Sequence, residues 1–239
     1  MIYFDHAATT RVLPEAAQAA VEAMTVAYGN PSSLYALGTQ AAKAVAEHRA
    51  TVAQALGCRP EELYFTSCGT EGDNWAVQLA VHLGRHKGKH IITTAVEHSA
   101  VLEPCKALEM QGDEVTYLHP DATGHIRVEA LGEALRPDTV LVSMLLVNNE
   151  TGAIQPVAEA AQVLKRHKSN ALLHTDAVQG FLKLPFTPKS LGADLVTISG
   201  HKIGAMKGSG ALFIRSGLRA IPLLRGGGQE NGLRSGTEA

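Results

Sequence analysis

The sequence places a lysine directly behind a buried apolar segment. Lys202 follows Ser199, Gly200 and His201, which close the apolar run 195–198. At the mouth of a sheet, partial loss of hydration lowers the pKa of such an amine and makes it a nucleophile that can form a Schiff base with a carbonyl cofactor. A solvated loop lysine near a phosphate or an acid is the alternative, and this segment alone favours neither.

Asp176 favours the first alternative. It ends the apolar run 171–175, one crossover connection before Lys202. A carboxylate at a buried strand end is costly unless it is paired. A protonated pyridine nitrogen is one such partner, and an aspartate beside that nitrogen lets pyridoxal phosphate act as an electron sink. Asp176 can equally be the N-cap of the segment from Ala177 onward, and the two roles are compatible.

The segment after the first predicted strand can hold an anion. Gly69 and Thr70 open a helix there, so their free N–H groups can bind a phosphate. Ser199 and His201 can donate hydrogen bonds to the same anion. Each feature taken singly is also common in turns and caps.

Three further polar side chains follow other predicted strands. His98 can lie flat on an aromatic ring and move protons near neutral pH, although a lone histidine is more often structural. Asn149 and Gln179 can donate hydrogen bonds to a phenolate oxygen. Together with the lysine and the aspartate, they would surround a planar, anionic aldehyde cofactor.

These residues require a sheet whose strands end at a common edge. Short β-branched runs alternate with helical periodicity, which predicts a mainly parallel α/β sheet covered on both faces. Such sheets bind ligands at the carboxyl ends of their strands. The predicted strands are 62–66, 90–94, 114–118, 139–146, 171–175, 194–199 and 209–214. The predicted helices are 14–27, 37–56, 70–85, 99–110, 128–135 and 157–168.

Composition excludes several classes of protein. The chain has 239 residues, 45% hydrophobic residues and a formal net charge of −2, which argues against a nucleic-acid or membrane-surface binder. No apolar stretch approaches the ~18 residues of a membrane span. The three cysteines form no CxxC pair, which predicts a cytoplasmic protein. His82, His86 and His90 have helical spacing but lie among Lys, Arg and Gly residues, so we expect a fraying helix end and no metal site.

The motifs together resemble those of a cysteine desulfurase of the class V aminotransferase superfamily, a group of pyridoxal-phosphate enzymes of fold-type I architecture. The matching segments are 3–10 (YFDHAATT), 29–33 (GNPSS), 65–67 (FTS) with 69–71 (GTE), 97–101 (EHSAV), 147–150 (VNNE), 174–179 (HTDAVQ), 199–202 (SGHK) and 234–237 (RSGT).

The resemblance implies a role for each site residue. Lys202 would form the Schiff base and act in catalysis with His98, which would stack on the ring. Asp176 would hold the pyridine nitrogen. Asn149 and Gln179 would meet the phenolic oxygen. The phosphate ligands would be Gly69, Thr70, Ser199 and His201.

The family also implies a homodimer, in which Thr237 would reach the phosphate site of the neighbouring subunit. The substrate would be L-cysteine, and the sulfur would feed iron–sulfur cluster assembly or thiolation through a possible acceptor protein. By the resemblance, residues 1–12 would belong to a small domain and residues 13–239 to the large cofactor-binding domain, with the rest of the small domain absent.

The family's nucleophilic cysteine, which receives sulfur as a persulfide, lies in a part of its members beyond the matching segments. None of Cys58, Cys68 and Cys105 has that position. Cys68, beside a predicted helix N-terminus, is the best candidate among the three. We therefore expect the cofactor-binding portion of a desulfurase. The alternatives are a dimerising cofactor-binding module without desulfurase activity, or another class V enzyme such as a selenocysteine lyase or an aminotransferase.

Overall fold

The computed structural model describes residues 2–238, so Met1 and Ala239, which bound the two expected domain ranges, lie outside the described residues. The chain forms an α/β fold in which helices and strands alternate. The helices are α1 Pro14–Thr25, α2 Ala36–Leu56, α3 Gly69–Gly84, α4 Ser99–Met110, α5 Val128–Ala134, α6 Val157–Arg166 and α7 Pro188–Leu191. The strands are β1 Leu63–Thr66, β2 His90–Thr94, β3 Glu114–Leu118, β4 Thr139–Ser143, β5 Leu172–Asp176, β6 Leu195–Ser199 and β7 Gly210–Ile214.

The seven strands form one sheet in the order β1-β7-β6-β5-β4-β2-β3. The pairs from β3 to β6 are parallel, whereas β7 runs antiparallel to both β6 and β1. The predicted mainly parallel, seven-stranded sheet is therefore confirmed. Because β2, β4, β5 and β6 point the same way, their carboxyl ends open on one edge, where ligands of such sheets bind.

Each face of the sheet carries its own hydrophobic core. Successive strand residues point to opposite faces, so Ile92 belongs to the core that includes residues of α2, α5 and α6, while the adjacent Ile91 belongs to the core that includes residues of α3 and α4. Trp75 of α3 fills the second core, and its indole N–H donates to the carbonyl oxygen of Ile221 at 2.7 Å. Burial on both faces explains the continuous apolar runs.

One predicted strand is longer than the observed strand. The apolar run 139–146 predicts pairing to its end, but β4 stops at Ser143. The backbone N–H of Leu145 donates instead to the Glu97 side chain at 2.8 Å. A buried carboxyl therefore replaces a strand carbonyl at Leu145, whereas the N–H groups of Met144 and Leu146 still donate to β5 carbonyl oxygens. The four-residue helix α7 was not predicted, since it is too short to show periodicity.

Helix α1 contrasts with the rest of the fold, since no residue of this described helix is buried. Pro14 starts it, as the sequence predicts, because a proline at the first helical position lacks only an N–H that would be unpaired anyway. Helix α2 ends at Gly57, which has φ +75° and caps the helix in the left-handed conformation. Both predicted N-terminal helices are present.

Candidate cofactor-binding site

A cavity of about 300 Å³ opens at the carboxyl ends of the parallel strands. This volume is at the lower end of the ~300–1,000 Å³ typical of small-molecule sites. Nine of the ten residues that the sequence analysis selects line it: Gly69, Thr70, His98, Asn149, Asp176, Gln179, Ser199, His201 and Lys202. Parallel topology brings them together from five separate segments of the chain.

The Lys202 amine is partly buried and faces this cavity from the turn after β6. Burial lowers its pKa, and the nearby charge of Lys183 lowers it further, whereas Asp176 raises it. The direction is the one that the sequence predicts. A larger fraction of neutral amine near pH 7 favours nucleophilic attack on a carbonyl carbon.

An N-terminal strap, residues 5–10, lies over the lysine. The Lys202 Nζ atom donates to the carbonyl oxygens of Ala7 and Ala8, the second at 2.8 Å. The Gln179 amide also donates to Ala7 at 2.8 Å. Thr10 fixes the strap, since its backbone N–H and its hydroxyl both donate to the carbonyl oxygen of His201 at 2.8 Å. The strap therefore orients the amine through backbone carbonyl oxygens, and the charge of its Asp5 side chain raises the pKa of Lys202.

Asp176 is the last residue of β5 and is buried on the floor of the cavity. Its Oδ1 atom accepts a hydrogen bond from the backbone N–H of Val178 at 2.9 Å, so the local capping role holds as well. Burial raises the pKa of its carboxyl group, and the adjacent Asp73 raises it further. An added cation at this position would relieve the cost of burying the negative charge.

His98 lies at the N-cap of α4, with its side chain exposed along the cavity wall. Its Nδ1 atom accepts a hydrogen bond from the backbone N–H of Ala100 at 3.1 Å. In the neutral ring the proton therefore resides on Nε2. The sequence analysis missed this cap, because histidine is not one of the preferred capping residues.

The first turn of α3 and a buried hydroxyl form an anion site. Gly69 begins the helix, and its N-cap residue, Cys68, makes no side-chain capping hydrogen bond among residues 2–238. The buried Ser199 Oγ atom likewise has no hydrogen-bond partner in this described part of the chain. A Cβ atom at Gly69 would lie 2.9 Å from a methyl group of Val178, so glycine is required there. Free N–H groups and an unpaired hydroxyl suit a phosphate.

The comparisons with known proteins agree with this geometry. The sequence profile "Aminotransferase class-V" matches residues 2–236. The chain belongs to the class-V aminotransferase family. It is 46% identical over 237 residues to the cysteine desulfurase IscS of Methanosarcina thermophila, a match that covers 99% of this chain and 58% of the relative. It is 48% identical over 238 residues to a cysteine desulfurase of Trichormus azollae, covering 100% of this chain and 59% of the relative.

Two solved structures resemble the fold closely. A NifS-like protein superposes with a TM-score of 0.96 and 41% identity, over 99% of this chain and 65% of that structure. The structure described as SspA in complex with cysteine gives a TM-score of 0.94 and 38% identity, over 100% of this chain and 69% of that structure. The chain thus spans less than two thirds of the length of the two curated relatives.

Class-V aminotransferases depend on pyridoxal 5′-phosphate, and that is the cofactor of this family member. The residues present fit this cofactor. Ser199 Oγ is a buried atom with no partner within residues 2–238, beside the free N-terminus of α3. Asp176 at the opposite side of the same cavity suits the ring nitrogen, and Lys202 suits the aldehyde.

Thr237, the tenth predicted residue, does not line this cavity. It is exposed and lies in a second cavity of about 290 Å³ together with Phe65, Ser67 and Glu230. Arg234 holds this C-terminal segment by donating from Nε to Glu71 Oε1 at 2.9 Å. Because the predicted role of Thr237 lies across a dimer interface, this position leaves that role a prediction.

Sequence reasoning missed three groups beside the cavity. Ala8 and Asp73 both line it, and Glu97 is buried next to β4. Ala8 offers only its backbone, which no residue-type argument detects. Asp73 lies inside α3, where the sequence pattern predicts that an acidic residue belongs to a solvated face. The match of 97–101 to the family was the one signal for Glu97.

Two negative expectations concern metals and membranes. Among residues 2–238, no group of three His, Cys, Asp or Glu side chains is arranged to hold a metal ion. No helix in that part of the chain is both long and apolar enough to cross a membrane. His90 is buried between the hydroxyl groups of Thr139 and Thr116, so it bridges strands.

Proposed function

We propose that this chain is the cofactor-binding part of a cysteine desulfurase. The reaction would convert L-cysteine to L-alanine and pass the sulfur to an enzyme cysteine as a persulfide. The observation that carries the proposal is the partly buried amine of Lys202 in one cavity with Asp176 and a helix N-terminus that has no side-chain cap among the described residues. The names of the two curated relatives support cysteine as the substrate.

Each residue has a distinct task in this proposal. Bound pyridoxal phosphate supplies an electron sink that stabilises negative charge at the substrate α-carbon. Lys202 would hold the aldehyde carbon of the cofactor and would move the proton at the substrate α-carbon. His98, with its proton on Nε2, stacks on the ring and exchanges protons with the substrate. Asp176 holds the proton at the ring nitrogen.

The remaining residues orient the cofactor. Asn149 and Gln179 bind the phenolic oxygen, and the strap carbonyl of Ala7 fixes the Gln179 amide. The phosphate ligands are Gly69, Thr70, Ser199 and His201. The Thr9 hydroxyl lies 3.1 Å from the Nδ1 atom of His201 and fixes that ring.

Sulfur transfer needs a reactive thiolate. The carbon–sulfur bond of cysteine breaks, a sulfur–sulfur bond to the thiolate forms, and a proton is added to the β-carbon, which leaves alanine. Burial raises the pKa of Cys58 and of Cys105 to about 12, so these thiols are poor nucleophiles. We assign the persulfide cysteine to a part of the protein beyond these 239 residues.

The assembly around this site is also part of the proposal. A homodimer would bring Thr237 to the phosphate site of the neighbouring subunit. Residues 1–12 would belong to a small domain, and residues 13–239 to the large domain. A cytoplasmic acceptor protein would receive the sulfur for iron–sulfur cluster assembly.

Reductive trapping tests the cofactor site. The chain is incubated with pyridoxal phosphate, reduced with borohydride and digested, and the modified lysine is identified by mass spectrometry. We expect the adduct on Lys202, its loss in Lys202→Ala and its retention on Lys202 in Lys183→Ala. Lys183 is the matched control because burial also lowers its pKa. An adduct elsewhere, or none, would contradict the proposal.

A cofactor-binding module without desulfurase activity of its own is the second candidate, favoured by the raised pKa values of the half-buried Cys58 and the buried Cys105. Sulfide and alanine formation from cysteine with dithiothreitol separates the two. Sustained turnover by the chain would exclude the module, whereas a trapped Lys202 without turnover would support it. Keto-acid formation would indicate an aminotransferase, and a preference for selenocysteine would indicate a lyase.

A further inference from the structure

Asp73 of α3 is a buried carboxyl group that has no task in the proposed reaction. Its side chain is 1% exposed and forms part of the cavity wall beside Asp176. The Oδ1 atom has no hydrogen-bond partner among residues 2–238. An unpaired buried carboxylate oxygen is destabilising, so its position next to a functional aspartate requires an explanation.

A buried histidine, His174, lies close to Asp73. The Nε2 atom of His174 lies 3.5 Å from Asp73 Oδ1 and 3.1 Å from the Thr197 hydroxyl, while its Nδ1 atom lies 2.8 Å from the Ser143 hydroxyl. Burial lowers the pKa of His174 to about 4. The imidazole therefore fixes the geometry around Asp73 but gives it no positive counter-charge near pH 7.

The other charged groups around the pair come from three further segments. Burial raises the pKa of Glu97 well above its ordinary value, which favours the neutral form of this carboxyl group. His98 and Lys202 face Asp176 from the cavity side, and each favours its ionised form. Asp73 is thus the group whose negative charge opposes the ionisation of Asp176.

Two adjacent buried carboxyl groups do not ionise independently. Burial raises the pKa of Asp73, which the Thr197 hydroxyl only partly offsets, and Asp73 in turn raises the pKa of Asp176. Such a pair retains one shared proton over a wide pH range. A cation placed at Asp176 would experience the charge of both carboxylates once that proton is lost.

We propose that Asp73 is a positioning residue that acts through Asp176 and extends toward alkaline pH the range in which a bound pyridine nitrogen stays protonated. The inference rests on the proposed cofactor site. When Asp73 is protonated, it adds no charge, and ring binding depends on Asp176 alone. When it ionises, its negative charge raises the proton affinity of the ring nitrogen that Asp176 contacts.

The test uses 4-deoxypyridoxine 5′-phosphate, which has the ring and the phosphate but no aldehyde, so binding is independent of Lys202 chemistry. Its dissociation constant is measured calorimetrically between pH 5.5 and 9 for the wild-type chain and for Asp73→Asn. We expect nearly equal affinities at the acidic end. The variant should become weaker as the pH rises, by about tenfold at the alkaline end, which corresponds to one unit of ring pKa.

Asp113→Asn is the matched control. Asp113 is also buried, but it pairs with Arg85 and does not line the cavity. The ratio of the probe's dissociation constants for Asp113→Asn and for wild type should stay near one at every pH. Should Asp73→Asn fail to fold, Asp73→Ser removes the same charge with a smaller side chain.

The outcomes separate the two proposals. A ratio that does not change with pH in a folded Asp73 variant would overturn the role of Asp73, because a purely structural residue lowers affinity equally at each pH. Failure of the wild-type chain to bind the probe at any pH would overturn the cofactor site itself. A ratio that grows with pH only in the Asp73 variant supports the proposal.

Discussion

The Nζ atom of Lys202 donates a hydrogen bond to the carbonyl oxygen of Ala8 at 2.8 Å, across 194 residues of sequence. This contact joins the amine that follows β6 to the N-terminal strap. Neutral carbonyl oxygens position the amine but do not stabilise its charged form as a carboxylate would. The lowered pKa of Lys202 therefore comes from burial and from Lys183, against the opposing charges of Asp176 and of Asp5 in the strap.

The anchor of the strap is Thr10, whose hydroxyl donates to the carbonyl oxygen of His201 at 2.8 Å and accepts from the backbone N–H of Gly204 at 2.7 Å. We expect Thr10→Val to lower the free energy of unfolding by about 1–2 kcal/mol, since the Gly204 N–H loses its acceptor and the His201 carbonyl oxygen loses one of its donors but keeps the backbone N–H of residue 10. Urea unfolding measures this change. Thr39→Val, which removes an exposed hydroxyl, is the control and should change stability by less than about 0.5 kcal/mol.

Asp176→Asn should stabilise the cofactor-free chain at pH 8. Burial, together with Asp73, raises the pKa of Asp176 in the folded state, so the unfolded chain loses this proton at lower pH than the folded one. The folded state is therefore penalised as the pH rises above the ordinary aspartate value, and the penalty disappears in acid. We expect a gain of about 1–3 kcal/mol at pH 8 and none near pH 3.5. Equal stability of both chains at pH 8 would contradict the burial argument.

His98 combines a helix cap with a proposed catalytic ring, and two variants separate the roles. His98→Asn keeps an N-cap acceptor for Ala100 and removes the imidazole, whereas His98→Ala removes both. We expect His98→Ala to cost about 1 kcal/mol of stability and His98→Asn to cost little. Both should lose the spectral shift that cysteine causes in the cofactor-loaded chain. A normal spectral shift in His98→Asn would show that the imidazole of His98 takes no part in the reaction.

The pair of Glu71 and Arg234 attaches the segment that carries Thr237 to the first turn of α3. Burial works against the charged carboxyl, but hydrogen bonds from Arg234 and Ser67 hold the pKa of Glu71 below its ordinary value. Arg234→Ala leaves a largely buried carboxylate without its cation, so we expect a loss of about 3 kcal/mol and faster proteolysis after residue 225. Arg136→Ala removes a more exposed arginine and should cost under about 1 kcal/mol.

Sequence patterns predicted the regular helices and strands of this molecule and the polar residues that follow the strands. Alternation of β-branched runs and helical periodicity predicted α4 and β2 with their observed bounds. The polar residues after those runs predicted most of the cavity, because the carboxyl ends of parallel strands converge. The predicted end of β4 was wrong, because the Glu97 side chain takes the backbone N–H of Leu145 from the neighbouring strand. Such a tertiary contact does not change the local periodicity of the sequence.

The features that the sequence could not indicate depend on tertiary contact. The strap acts through the backbone oxygens of Ala7 and Ala8, which every residue possesses. Asp73 and His174 lie close together only because α3 packs across β5 and β6. The position of Thr237 in its own subunit likewise follows from ion pairs that join distant segments.

The distance along the chain between the strap and Lys202 also has a consequence for biosynthesis. A ribosome adds ~5–20 residues per second, so ~10–40 s separate the emergence of Ala7 from that of Lys202. During that interval the N-terminal segment has no docking position, because the His201 carbonyl and the Lys202 amine that hold it are not yet synthesised. Cofactor capture is consequently a late event in the life of the nascent chain, after β6 has joined the sheet.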